Sequence, residues 1–152
     1  GMQDKGSGRI AMTEPIIRTA SARQADIARQ AESMGVDEAF ISDLVDAFYG
    51  RVQADEDLGP VFEAAIGDDW TGHLKTMKQF WASIALNAGT YGGRPIPAHH
   101  KHLDKIRPDH FSIWLSLFRQ TLEERAPSPE AAAFFYQRAE RIGLNFQSIL
   151  FK

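Results

Sequence analysis

Apolar residues recur at steps of three and four along most of this chain, the period of a helix with one buried face. The clearest case spans 37–53, where Phe40, Ile41, Leu44, Val45, Phe48, Tyr49 and Val52 keep the step and Asp37 stands as a cap. A weaker helix is expected over 21–34, with Ser21 as its cap and Gly35 as its stop. Leu58-Gly59-Pro60 reads as a break, after which Val61, Phe62, Ala65 and Ile66 can form only a short turn or two. The period returns over 69–87 through Trp70, Leu74, Met77, Trp81 and Ile84. Gly92-Gly93 and two prolines mark 89–97 as loop, and 98–104 reads as one or two helical turns. Pro108 suits a helix start, where its missing N–H is not needed, and Phe111, Trp114, Leu115, Phe118 and Leu122 follow. Ser128-Pro129-Glu130 opens a last helix with Phe134, Phe135, Ala139, Ile142, Phe146, Ile149 and Leu150 inward. No stretch alternates in strand fashion for long, so the expected class is all-α with four substantial helices.

Length and composition narrow this picture. The chain has 152 residues, which suits one domain. The expected division is a disordered tail at 1–20, with Gly1 before Met2 as a cloning scar, and a single domain at 21–152. A net charge of -3 without a basic run argues against nucleic acid or an anionic membrane as partner. The absence of cysteine excludes disulfides, thiolate catalysis, thiolate zinc sites and haem attached through a C-x-x-C-H pattern. It also fits the reducing cytoplasm, the expected location. No apolar run reaches transmembrane length.

Histidine is the residue type with unspent chemistry. His99, His100 and His102 fall close together, with Asp104 near them, while His73 and His110 stand apart. Imidazole binds zinc, copper and haem iron, and His99 and His102 can share one helical face. The cluster therefore reads as a solvated helix end, as a haem ligand, or as a non-haem metal site built on His99, His102 and Asp104. The polar tips of Tyr49, Trp114 and His73 fall at core-facing positions among aromatic residues. A buried donor without an acceptor costs about 1–3 kcal/mol, so converging donors point to a bound polar ligand. Aromatic stripes are also ordinary core, and packing alone explains Phe48, Phe80 and Trp81 equally well. There is no G-x-S-x-G, Walker loop or H-E-x-x-H.

Taken in order, Phe48-Tyr49-Gly50-Arg51-Val52, Leu58-Gly59-Pro60-Val61-Phe62, the run from Trp70 to Trp81, Tyr91-Gly92-Gly93-Arg94-Pro95 and Phe111-Ser112-Ile113-Trp114-Leu115 resemble the group III truncated haemoglobins. The resemblance covers roughly 37–151. It implies a two-over-two helical sandwich, here with an extra N-terminal helix, holding non-covalent haem b on a proximal histidine. Matched position by position, Tyr49 corresponds to the distal tyrosine that donates to the iron's ligand. Phe62 corresponds to the phenylalanine packed on the haem. His73 corresponds to a distal-helix histidine, with Met77 one turn further on. Phe80 and Trp81 match aromatics along the same helix, Phe111 falls in the matching motif, and Trp114 corresponds to the tryptophan whose N–H points into the distal pocket. The proximal ligand falls on His99 when counted forward from Pro95 and on His100 when counted back from Phe111 and Trp114. His99 is preferred, because an inserted residue is easier to place in the loop after the short helix than in the turn before it.

The resemblance implies a protein that binds oxygen or another diatomic ligand. Two distal donors would slow ligand escape, which suits oxygen, nitric oxide or peroxide chemistry better than bulk transport. Nitric oxide dioxygenase or peroxidase-like activity, with an electron-donor reductase as partner, would follow. His73, near the surface, is expected to act as a gate to solvent. The alternative is a haem-free globin-fold sensor or interaction module.

Overall fold

The computed structural model describes residues 20–86 and 106–150, with side chains over 22–86 and 106–148. Residues 1–19 of the tail expected at 1–20, the loop at 89–97 and the turns at 98–104, with His99, His100, His102 and Asp104, lie outside the described residues. Among those described are six helices: α1 (Ala20–Met34), α2 (Glu38–Ala54), α3 (Leu58–Ile66), α4 (Trp70–Ala85), α5 (Pro108–Arg125) and α6 (Pro129–Leu150). No strand occurs among the described residues.

Local chemistry sets most of the helix ends. Gly35, at φ 79°, ends α1 in a left-handed turn that suits a residue without Cβ. There Gly35 N–H donates to the Glu32 carbonyl at 3.1 Å and Val36 N–H to the Ala31 carbonyl at 2.9 Å, the pair of bonds of a Schellman stop. Asp37 caps α2 by accepting from Phe40 N–H at 2.8 Å, and Asp69 caps α4 by accepting from Gly72 N–H at 3.2 Å. Ser128 accepts from Ala131 N–H at 3.1 Å and donates to the Met34 carbonyl at 2.7 Å, so one hydroxyl starts α6 and finishes α1.

Two expected boundaries are corrected. Helix α1 already begins at Ala20, which puts Ser21 inside the first turn and removes it as a cap. Leu58-Gly59-Pro60 does not break the chain but opens α3. Pro60 sits third in that helix, where a backbone N–H has no intrahelical partner to lose. The Asp55 carboxylate accepts from the N–H groups of Asp57 and Leu58 at 3.0 and 2.9 Å and so nucleates the turn. Gly59 is required by crowding: a Cβ there would lie 2.8 Å from the Gln53 carbonyl oxygen. That oxygen belongs to α2, so α3 starts hard against the end of its predecessor.

The fold is the two-over-two helical sandwich with an added N-terminal helix. Helices α2 and α4 pair in one layer and α5 and α6 in the other, with α2 packed across α5. Helix α1 rests on α4 and α6. The buried centre is aromatic. Trp81 lies between Phe118, stacked at 5.4 Å, and Phe135, tilted at 5.2 Å, and Phe40 meets Phe135 edge-on at 5.4 Å. Its one fully enclosed polar side chain among the described residues, Thr121, is satisfied twice. The Thr121 hydroxyl donates to the Leu117 carbonyl at 2.7 Å and accepts from the Arg51 guanidinium at 2.9 Å. Arg51 also pairs with Glu124, and this guanidinium holds the Glu124 carboxyl below the usual range. Lys78–Asp46 at 2.9 Å and Arg125–Asp43 at 2.7 Å tie α2 to its neighbours from outside, where such pairs add little stability.

Candidate functional site

Between the layers lies a cavity of about 140 Å³. Helix α2 supplies Phe48 and Tyr49 to its wall, and α3 supplies Leu58, Val61 and Phe62. Helix α4 presents His73, Met77 and Phe80–Trp81 at successive turns of one face, with Thr76 beside them. Helix α5 contributes His110, Phe111, Trp114 and Phe118 after Ile106, and α6 closes the far side with Ile142 and Phe146. No carboxylate or ammonium group lines the cavity among the described residues.

Every residue singled out from the sequence that lies within the described range reaches this wall: Tyr49, Phe62, His73, Met77, Phe80, Trp81, Phe111 and Trp114. His99 and His100 lie outside the described residues. His110 was not among the expected site residues, although it stands beside Phe111 and one turn before Trp114. That spacing was the available signal. Among the described residues no group of three or more His, Cys, Asp or Glu is placed to hold a metal ion.

Three of the polar residues in this wall were singled out from the sequence: Tyr49, His73 and Trp114. Tyr49 is buried, with its ring edge-on to Phe48 at 4.8 Å, to Phe62 at 6.0 Å and to Trp70 at 6.2 Å. His73 meets the Tyr49 ring edge-on at 5.0 Å and Trp70 at 5.9 Å. Its ring is turned inward and Nε2 is buried, so the outward-swung gate expected at this position is not the arrangement seen. The Trp70 indole N–H donates to the Glu63 carboxylate at 3.2 Å, which pins the α3–α4 corner over His73. Trp114 stacks on Phe118 at 6.2 Å and meets Phe48 edge-on at 6.0 Å, so its indole has fixed neighbours on two sides.

Burial pushes the Tyr49 hydroxyl above the ordinary tyrosine range. It therefore remains a neutral donor wherever the protein is folded. In the unfolded chain the same hydroxyl ionises near pH ~10. The folded state then holds a proton that the unfolded state has lost. Tyr49 thus favours folding fully below that pH, and its contribution falls as pH rises further. In an alkaline titration followed by tyrosinate absorbance, one of the three tyrosines is expected to ionise only with unfolding. Tyr49→Phe should delete that late step and nothing earlier. Loss of amplitude from the ordinary range would contradict the assignment.

The donor set fits a flat, apolar prosthetic group with a small electronegative ligand. Aromatic and aliphatic walls exclude water from a ring system, and the neutral O–H and N–H groups can bond a ligand with partial negative charge.

The sequence model of the bacterial-like globin family matches residues 31–143. A group 3 truncated hemoglobin of Campylobacter jejuni is 36% identical over 122 residues, which cover 77% of this chain and 93% of that protein. The crystal structure of a group III truncated hemoglobin from Campylobacter jejuni aligns with a TM-score of 0.69 at 36% identity, again over 77% of this chain and 93% of the other.

Proposed function

Because the chain belongs to the bacterial-like globins and, within them, to the group III truncated haemoglobins, we propose that its aromatic cavity holds haem b and serves reactions of diatomic ligands. Membership makes it a haem-binding, gas-ligand globin in general terms. The finer reading is carried by one observation. Tyr49, His73 and Trp114 bring polar tips to a mostly apolar cavity wall.

When bound, the haem supplies an iron able to take oxygen, nitric oxide or peroxide. The protein's own groups do the rest. His99 holds the iron by the forward count along the sequence, with His100 the alternative. Met77, Phe80 and Phe62 line the cavity where they would pack against the ring, and Phe111 and Trp81 would complete its surroundings. Tyr49 donates its hydroxyl hydrogen, and Trp114 its indole hydrogen, to a ligand with partial negative charge. The α3 and α4 aromatics exclude water from those bonds and strengthen them. Strong retention of this kind suits chemistry on the ligand better than its delivery. Turnover of that chemistry would call for an electron-donor reductase. Among the described residues no helix is long and apolar enough to cross a membrane.

The test is an absorption spectrum of the purified protein, reduced, with and without carbon monoxide. A Soret band that shifts with carbon monoxide is expected. A protein that takes up no haem when supplied with it would overturn the reading and leave the haem-free globin module.

A further inference from the structure

His110 lines the same cavity without a part in holding the gas ligand, and its hydrogen bonding restricts what it can do. It is the third residue of α5, one turn before Trp114, and only 4% exposed. The backbone N–H of Arg107 donates to its Nδ1 at 3.0 Å, while its own N–H donates to the Arg107 carbonyl at 3.0 Å. A ring nitrogen that accepts carries no proton, so the neutral ring bears its hydrogen on Nε2. That nitrogen therefore has a hydrogen to give and no lone pair for a metal. His110 is a fixed donor in this wall, not a second iron ligand.

Among the described residues no side chain takes that hydrogen. Ile106, Phe111 and Phe146 form the apolar cluster at this end of the cavity and offer no side-chain acceptor. The first turn of α5 adds the positive end of an 18-residue helix to the same region. A fixed N–H donor beside a helix N-terminus selects an acceptor with negative charge. We propose that His110 anchors a carboxylate side arm of the tetrapyrrole through Nε2–H, a role that rests on the haem reading above. The pocket would then recognise the ring's acid arm as well as its apolar face, and His110 would fix which way round the ring lies.

The experiment is a fluorescence titration of the haem-free full-length protein with metal-free protoporphyrin and with its dimethyl ester. Neither probe uses a proximal ligand, and they differ only in their carboxylates. Wild type is expected to bind the diacid about tenfold or more tightly than the diester. His110→Leu should abolish that preference. His110→Glu keeps an acceptor for the Arg107 N–H but loses the donor, so it should favour the diester while retaining the start of α5. His110→Gln, whose amide can accept and donate, should restore part of the preference. A preference that survives in both the Leu and Glu variants would overturn the carboxylate anchor and leave the haem reading intact. Failure of both porphyrins to bind wild type would instead overturn the tetrapyrrole reading, and the anchor with it.

Discussion

His99→Ala is expected to lose nearly all of the haem absorption of the purified protein, while His100→Ala keeps it. Iron ligation by imidazole is the one bond here that packing cannot replace. The aromatic wall can hold a porphyrin loosely, but it supplies no nitrogen lone pair on the proximal side. Of the two histidines placed in the wall, His110 has its Nδ1 engaged by Arg107 N–H and its proton on Nε2. His73 stands on α4 against Tyr49, in the position matched to the distal side. The ligand is therefore sought in the cluster at 99–102. Added imidazole should restore a five-coordinate spectrum to His99→Ala, since the ring would still find its pocket. The opposite pattern, with His100→Ala losing the band, moves the ligand by one residue. A wild-type spectrum in both variants would rule out both and leave His102.

The second large effect is expected at Tyr49. Tyr49→Phe removes one oxygen atom and leaves the ring contacts with Phe48, Phe62, Trp70 and His73 in place. A hydrogen bond to a charged or strongly polarised partner contributes about 1.5–3 kcal/mol. Losing it should speed oxygen dissociation by roughly 10- to 150-fold. Trp114→Phe should act in the same direction, although it also alters the stack on Phe118. Stopped-flow displacement of oxygen by carbon monoxide measures both. Rates within twofold of wild type in both variants would make Tyr49 and Trp114 packing residues only.

Much of this architecture is legible in the sequence because its determinants are local. Asp37, Gly35, Pro108 and Ser128 act on backbone groups within a few residues of themselves, and they stand where the sequence pattern puts helix ends. The apolar step likewise identifies the inner faces of α2, α4, α5 and α6. The opening of α3 is hidden because a close backbone approach across the turn decides it, not residue composition. Leu58-Gly59-Pro60 has the composition of a breaker, yet Gly59 is there to let α3 approach the Gln53 carbonyl of α2. No pattern in the surrounding residues announces a contact of that kind.

The site divides the same way. Tyr49 and Trp114 stand out because polar-tipped residues at core-facing positions require partners. His110 does not, since a histidine beside Arg107 and Asp109 reads as part of a solvated first turn. Its burial goes with the packing of α5 against α6. The direction in which His73 points was equally hidden. It is settled by the Tyr49 ring and by the Trp70–Glu63 bond above it, and each of these joins different helices.

The hydroxyl of Ser128, which joins the end of α1 to the start of α6, spans 94 positions of sequence. Closing so long a loop is entropically unfavourable, and the penalty grows with the logarithm of its length. The contact becomes favourable only after the intervening helices have shortened the distance between its ends. The chain's first helix is thus expected to dock late in folding, after the cavity has taken shape. What the N-terminal helix adds is then a brake on unfolding rather than a nucleus for folding.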